Sequence, residues 1–169
     1  MLTPNGTNGI YGVVEFKNVA VGVLALENDD GGNECVWLVG QYRYPLKRYS
    51  WELPEGGCPK GESVLSAAKR ELREETGLRA RKWSRAFEMD LSNSVTDERA
   101  VVFLARDLVA GVPSPDETEV LRLKRVKLKW AVDQVLKGEI TDAISVAALL
   151  YAAQASLRPS VHRSGKTKK

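Results

Sequence analysis

The sequence has 169 residues, of which 43% are hydrophobic and 28% charged, and its formal net charge is +3 at pH 7. A chain of this length can bury one sizeable core but hardly two, so we expect a single domain. Two cysteines, Cys35 and Cys58, are too few for a disulfide scaffold. No apolar run approaches the length of a membrane span, which excludes an integral membrane protein, and the polar first residues do not read as a signal peptide. A cytoplasmic location is therefore expected.

The positive charge is concentrated in the last residues of the chain. Residues 156–169 carry five of the 25 lysine and arginine residues and no acid, so the rest has 20 basic against 22 acidic side chains, or −2. We expect a disordered basic tail here, with contact to RNA or an acidic surface as the alternative. The only histidine, His162, lies in this tail, which argues against a Ser-His or Cys-His mechanism.

Hydrophobic patterning predicts strands alternating with a few helices. The run 19–26 is nearly continuously apolar, as in a strand buried on both faces, and the turn residues 28–33 predict a hairpin with the next strand. Strands around helices imply an α/β or α+β sandwich. The predicted strands are 11–16, 19–26, 35–44, 80–90, 98–106 and 120–128, and the predicted helices are 63–76, 130–137 and the stretch after Thr141, its expected N-cap, through 153.

The helix at 63–76 carries an unusual cluster of acids. Glu71, Glu74 and Glu75 stand at i, i+3 and i+4, so their carboxylates project from one side, and Gly77 is well placed as the helix stop. Like charges at this spacing repel, and a helix that keeps them usually collects a cation. Carboxylate oxygens suit Mg²⁺ or Mn²⁺. The alternative is an ordinary solvated helix face.

The surrounding residues decide between these alternatives. Residues 56–78 read as glycine, five residues, glutamate, seven residues, then Arg-Glu-Leu-x-Glu-Glu-x-Gly-Leu. These nine positions resemble the signature of the Nudix hydrolases at every fixed position. The resemblance implies a Nudix-type α/β/α sandwich with a mixed sheet, in which this box forms a loop-helix-loop.

Three further stretches indicate one branch of this family. A Gln-Tyr-Arg-Tyr-Pro strand at 41–45 precedes Trp-Glu-Leu-Pro-Glu-Gly-Gly at 51–57, and Gly-Glu-Ile-Thr-Asp-Ala-Ile-Ser follows at 138–145. They resemble the Nudix branch that hydrolyses ADP-ribose and other nucleoside diphosphate sugars. This resemblance predicts a Nudix domain at 10–155 between a flexible N-terminus at 1–9 and the tail at 156–169. It also implies a homodimer.

The resemblance assigns metal ligands residue by residue. Glu71 and Glu75 are the implied principal ligands of Mg²⁺, for which Mn²⁺ is a substitute, and Glu74 is an additional one. The backbone carbonyl of Glu55 is a further implied ligand. Arg70 is expected to hold the glutamates in place by ion pairs.

Other site residues are assigned from the same branch and from residue chemistry. The general base is expected in the acidic loop after the box, where Glu117 is preferred over Glu119, with Asp116 behind them. An arginine beside aromatic residues suits a nucleotide, because the guanidinium grips phosphate and a ring stacks on the base, although such rings also serve core or dimer packing. The substrate-binding candidates are Arg43 for phosphate, Tyr42 and Trp51 for the base, and Glu52.

The predicted reaction is Mg²⁺-dependent cleavage of nucleoside diphosphate sugars to a nucleoside monophosphate and a sugar phosphate. Many ADP-ribose pyrophosphatases have a proline shortly after the box, whereas this chain has none between Pro59 and Pro113. A broader specificity, including ADP-ribose and GDP-mannose, is therefore favoured. The alternatives are hydrolysis of dinucleoside polyphosphates or related compounds, and a non-catalytic nucleotide- or RNA-binding module.

Overall fold

The computed structural model describes residues 1–112 and 120–157. Seven strands and three α-helices form in this part of the chain, with one turn of 3₁₀ helix at Tyr44–Leu46. The strands are β1 Val19–Asn28, β2 Glu34–Arg43, β3 Arg48–Glu52, β4 Glu55–Cys58, β5 Arg79–Asp90, β6 Arg99–Val109 and β7 Arg122–Lys127. The helices are α1 Val64–Thr76, α2 Leu128–Leu136 and α3 Ala143–Leu157.

The strands form one mixed sheet with β1 at its centre. Five strands follow the order β3-β2-β1-β6-β5, while β4 pairs with β1 and β7 pairs with β2. Strands β1 and β6 run parallel, with Ala20 opposite Ala100, and the other named pairs are antiparallel. β4 pairs with the first residues of β1 and β2 with its last residues, so β1 joins the two parts of the sheet.

Strand β1 is buried on both faces, as its apolar sequence predicts. Successive side chains point to opposite faces of a strand. Val23 belongs to the buried cluster that contains Leu72 of α1, whereas the neighbouring Leu24 belongs to the cluster that contains Leu149 of α3. Helices thus cover both faces of the sheet, and the predicted α/β sandwich with a mixed sheet is confirmed.

Helix α1 begins and ends at the residues that its sequence indicates. The Ser63 hydroxyl accepts a hydrogen bond from the Ser66 backbone N–H at 3.1 Å, which caps the helix. Gly77 ends it with φ of 72°, a left-handed conformation that glycine adopts without steric cost. Leu72 is fully buried under the sheet. This anchoring fixes the rotation of the helix and therefore the direction of its acidic side.

Two local predictions are wrong. Residues 11–16 do not form a strand: Val14 makes one isolated bridge to Thr96, and the segment is exposed along the loop at 91–98 instead of entering the sheet. The N-cap of α3 is Asp142, whose carboxylate accepts a hydrogen bond from the Ser145 N–H at 2.7 Å. Thr141 instead accepts a hydrogen bond from Arg48 at 2.8 Å.

The remaining predicted elements form within a few residues of their expected ends, and the strands β3 and β4 are additional. Most of the predicted tail, residues 158–169, lies outside the described residues. No helix in the described part of the chain combines the length and the apolarity needed to cross a bilayer.

We expect Ser145 to be a stabilising link between α3 and the turn that precedes β4. Its hydroxyl is fully buried and accepts a hydrogen bond from the Leu53 backbone N–H at 2.8 Å. Ser145→Ala leaves that buried N–H without a partner, so the free energy of unfolding should fall by about 1–3 kcal/mol. Denaturant titration measures this, with the exposed Ser84→Ala as the control. A loss no larger than that of the control contradicts the role.

Candidate functional site

The main chain of β4 lies directly against the acidic side of α1. The Glu75 carboxylate, which is only 5% exposed, accepts a hydrogen bond from the Glu55 backbone N–H at 3.1 Å. At Gly56 a side chain has no room, since a Cβ atom there would overlap the Glu71 carboxylate. The glycine thus allows the strand and two glutamates of the helix to approach closely.

Arg70 connects the preceding loop to the acidic cluster. Its guanidinium donates to Glu71 at 2.7 Å, to Glu74 at 3.2 Å and to Glu62 at 3.0 Å. It also donates to the Gly57 carbonyl at 2.8 Å. These hydrogen bonds, with that to Glu62 as the largest cause, raise the pKa of Arg70 above its usual range. Arg70 therefore stays charged and holds the glutamates, the geometry expected of a positioning residue.

A second ion-pair group stands beside the first. Arg43 lies at the end of β2 and donates to Glu52 at 2.6 Å and to Glu55 at 3.0 Å. Glu52 is 2% exposed, so its charge is compensated mainly through Arg43. Within the described residues, the Nη1 group of Arg43 donates no hydrogen bond to protein. A guanidinium with one free amino group is thereby held at the cavity.

The Glu55 side chain is in an unusual environment. One carboxylate oxygen, Oε1, accepts from Arg43, whereas Oε2 is buried without a hydrogen-bond partner. Burial, together with the nearby negative charges of Asp142 and Glu52, raises the pKa of Glu55 well above its usual range. A buried acceptor without a donor is costly unless a cation or water meets it.

These groups line one cavity of about 690 Å³ between β4, α1 and the start of α3. Among the charged residues of the described lining, six are acidic and only two, both arginines, are basic. Phe16 is the only aromatic residue in the described lining. The acidic residues that line it are Glu55, Glu71, Glu74, Glu75, Glu98 and Asp142, and the basic ones are Arg43 and Arg70.

The donor set fits a hard divalent cation. In the described part of the chain no three acidic, thiol or imidazole groups are already gathered closely enough to hold a metal ion. The carboxylates nevertheless face one cavity, and the buried Oε2 of Glu55 has no donor. Only oxygen ligands are offered, which suits Mg²⁺ or Mn²⁺ better than softer metals. Both Glu71 and Glu74 line this cavity while they accept hydrogen bonds from Arg70.

The structure separates the predicted substrate-binding residues. Arg43 lines the cavity, whereas Glu52 lies buried beneath it as its ion-pair partner. Tyr42 and Trp51 do not line this cavity. Trp51 pairs with Gly40 and packs on the cluster under α2 and α3, on the other face of the sheet from Arg43, and the adjacent Tyr42 shares that face. The predicted bases Glu117 and Glu119, with Asp116, lie outside the described residues.

Some cavity residues are absent from the sequence-based predictions. Phe16 and Asn18 precede β1, Glu98 precedes β6, and Asp142 caps α3. They lie far apart in the sequence, and only the pairing of β1 with β6 and the packing of α3 bring them together. One signal is readable: Asp142 immediately precedes the apolar run of α3, and aspartate in that place is typical of a helix start.

Known proteins resemble this chain over most of its length. The NUDIX domain model matches residues 16–149, more than half of the chain. An ADP-ribose pyrophosphatase of Mycobacterium tuberculosis is 37% identical over 134 residues, which cover 78% of this chain and 63% of that protein. An ADP-ribose pyrophosphatase of Bacillus subtilis is 35% identical over 150 residues, which cover 88% of this chain and 78% of that protein. This chain thus matches less than two thirds of the length of the mycobacterial relative.

A solved structure shares the fold. The crystal structure of an ADP compounds hydrolase has a TM-score of 0.79 to this chain at 24% sequence identity. The match covers 91% of this chain and 81% of that one. The resemblance to Nudix hydrolases, and among them to ADP-ribose pyrophosphatases, is confirmed. The chain belongs to the NUDIX domain family.

Proposed function

We propose that this protein is a Mg²⁺-dependent pyrophosphohydrolase that cleaves nucleoside diphosphate sugars to a nucleoside monophosphate and a sugar phosphate. ADP-ribose and GDP-mannose are representative substrates. Two relatives named above are ADP-ribose pyrophosphatases, which supports this substrate class. The observation that carries the proposal is the single cavity in which the glutamates of α1 face Arg43 across the main chain of β4.

The proposed metal ligands are the carboxylates of Glu71 and Glu75, with Glu74 as an additional ligand and the Glu55 carbonyl as a further one. Nudix hydrolases generally use divalent cations. A bound divalent cation neutralises charge on the phosphate oxygens and lowers the pKa of a coordinated water. The role of Arg70 is to keep the glutamates gathered against their mutual repulsion.

Substrate binding is assigned to residues at the other side of the cavity. The free Nη1 group of Arg43 is positioned to donate to a phosphate oxygen, while Glu52 and Glu55 hold its guanidinium in place. Phe16, which is 45% exposed, offers a ring at the cavity for stacking on a base. In the single chain Phe16 is better placed for this contact than Tyr42 or Trp51.

The attacking water requires a base, and Glu117 remains the proposed one, followed by Glu119. Both belong to the acidic segment between β6 and β7. Among the described carboxylates, Glu98 is the competing candidate, because Asp142 already caps α3 through its side chain. The in-line geometry of the attack demands that the base face the phosphorus from the side opposite the leaving group.

Two properties of the whole molecule complete the proposal. Both cysteines are free and buried, in keeping with a reducing compartment such as the cytoplasm. Tyr44 and Leu46 are exposed by 82% and 57%, and Tyr42 and Tyr49 are exposed on the same part of the chain. An apolar surface of this kind is typical of an interface, and we assign it to a homodimer.

The first experiment analyses the products of a substrate panel with Mg²⁺ or Mn²⁺. The panel contains ADP-ribose, GDP-mannose, UDP-glucose, diadenosine polyphosphates and nucleoside triphosphates. We expect nucleoside monophosphate and sugar phosphate from the sugars. Glu75→Gln should lower kcat by at least about 100-fold, because even outer partners of metal ligands contribute about 10- to 100-fold. Glu139→Gln, at an exposed position, is the matched control.

Binding of Mn²⁺, measured by electron paramagnetic resonance, separates a ligand from a merely structural residue. Glu75→Gln should weaken Mn²⁺ binding while the free energy of unfolding without metal changes little. If no substrate of the panel is hydrolysed with either Mg²⁺ or Mn²⁺, the hydrolase proposal fails. Preferential cleavage of dinucleoside polyphosphates would instead support the alternative substrate class.

Arg43 is expected to act in substrate binding as well as in stability. Arg43→Ala should raise KM more than it lowers kcat, since the contact to phosphate exists in the ground state. It should also lower the free energy of unfolding by roughly 3 kcal/mol, because Glu52 is left as an uncompensated buried charge. Adding Glu52→Gln should restore stability but not KM. Recovery of both would show that Arg43 has only a structural role.

The general base is tested by comparing two substitutions. Glu117→Gln should lower kcat by about 100-fold or more with little change in KM, and should remove the acidic limb of the pH–kcat profile. Glu98→Gln should leave both nearly unchanged. The opposite pattern would transfer the role to Glu98.

A further inference from the structure

A second cavity lies along α1 beside the first, and Arg70 lines both of them. It has a volume of about 370 Å³ and is formed by α1 and the beginning of β5. Among the described residues it is lined by four basic side chains and no acid. The lining consists of Ser66, Lys69, Arg70, Arg73, Arg79, Ala80 and Trp83.

The cations of this cavity differ in how far they are already neutralised. Arg70 is fully engaged with carboxylates and the Gly57 carbonyl, and Arg73 donates to Glu74 at 3.1 Å. Lys69 and Arg79 form no ion pair with any residue in the described ranges. Two exposed cations therefore converge on the cavity without a counter-charge from these residues, and Arg73 adds a half-exposed third.

The wall of the cavity is preformed. The Trp83 indole N–H donates to the Ala80 carbonyl at 3.0 Å, and the ring packs edge-on against Phe103 at a centroid distance of 6.4 Å. The Lys69 ammonium lies 6.0 Å from the centroid of the Trp83 ring. Lys69 and Arg73 are four residues apart on α1, so both side chains project on the same side. These contacts fix the aromatic wall beside which the cations stand.

We propose that this cavity is a binding site for a phosphate monoester, separate from the catalytic cavity and held by Lys69, Arg73 and Arg79. Three cations match a dianion, and charge-assisted hydrogen bonds to phosphate oxygens are short and strong. The volume suits a phosphate with an attached sugar or nucleoside. A nucleic acid is disfavoured because the concave patch is small and adjoins the acidic cluster of Glu71 and Glu74. If the proposed function is correct, both products belong to this ligand class.

The test observes the cavity directly and needs no catalysis. In metal-free protein with a chelator, the Trp83 indole N–H resonance is assigned with Trp83→Phe and followed during titration. The probes are inorganic phosphate, adenosine monophosphate, ribose 5-phosphate and adenosine. We expect a saturable shift with the three phosphates and none with adenosine. The shift should weaken as salt is raised, because the site is at the surface.

Substitutions locate the bound phosphate. Lys69→Gln and Arg79→Gln should each raise the dissociation constant by about threefold or more. Lys129→Gln, which removes the same charge from the far side of the sheet, should leave it unchanged. Since no hydrolysis is measured, this result is independent of whether the proposed reaction occurs.

Three outcomes overturn the proposal. The first is a shift that does not saturate or that survives both substitutions, and the second is an equal response to adenosine. The third is much tighter binding of a single-stranded oligonucleotide with a steep salt dependence, which would make the cavity part of a nucleic-acid surface.

Discussion

The site depends on one guanidinium that keeps like charges together. Three carboxylates within about one turn of helix repel one another, and burial against a strand strengthens the repulsion. Arg70 opposes it by donating to Glu71, Glu74 and Glu62, and it extends the same network to the Gly57 carbonyl. The loop before the helix and the helix itself are thereby joined through a single side chain. A lysine offers three donors on a flexible stem and does not reproduce this planar arrangement.

The sheet positions the backbone segment that faces the acidic side of α1. Because β4 pairs with β1, the Glu55 backbone is held where its N–H meets the Glu75 carboxylate, and Gly56 leaves room for Glu71. The turn before β4 is in turn fixed from the opposite face of the sheet by Ser145 of α3. The position of the α1 carboxylates thus follows from packing on both faces, although all of them belong to a short stretch of sequence.

A residue of this site is predictable from the sequence when the residues that it contacts lie close to it along the chain. The box is predictable because its helix, its stop at Gly77 and its acids are set by local spacing. Tyr42 is predicted together with Arg43 because the two are neighbours in the sequence, yet successive residues of a strand face opposite sides, so the period of two already separates them. Phe16 and Glu98 were missed for another reason. They reach the cavity only through the parallel pairing of β1 with β6, which local patterns do not specify.

The distribution of charge implies a coupling between cation and substrate. A pyrophosphate approaching a cavity lined by six acids is repelled unless positive charge is added, and within the described lining Arg70 is already neutralised by its glutamates. Of the two arginines in the described lining, only Arg43 retains a free donor group, so it offsets only part of this repulsion. A divalent cation held by the glutamates would therefore increase the affinity for the proposed substrate, and linkage would then require the substrate to increase the affinity for the cation by the same factor. A cation alone is attracted by the acidic lining, whereas a pyrophosphate alone is repelled by it, so the proposed substrate would bind together with the cation.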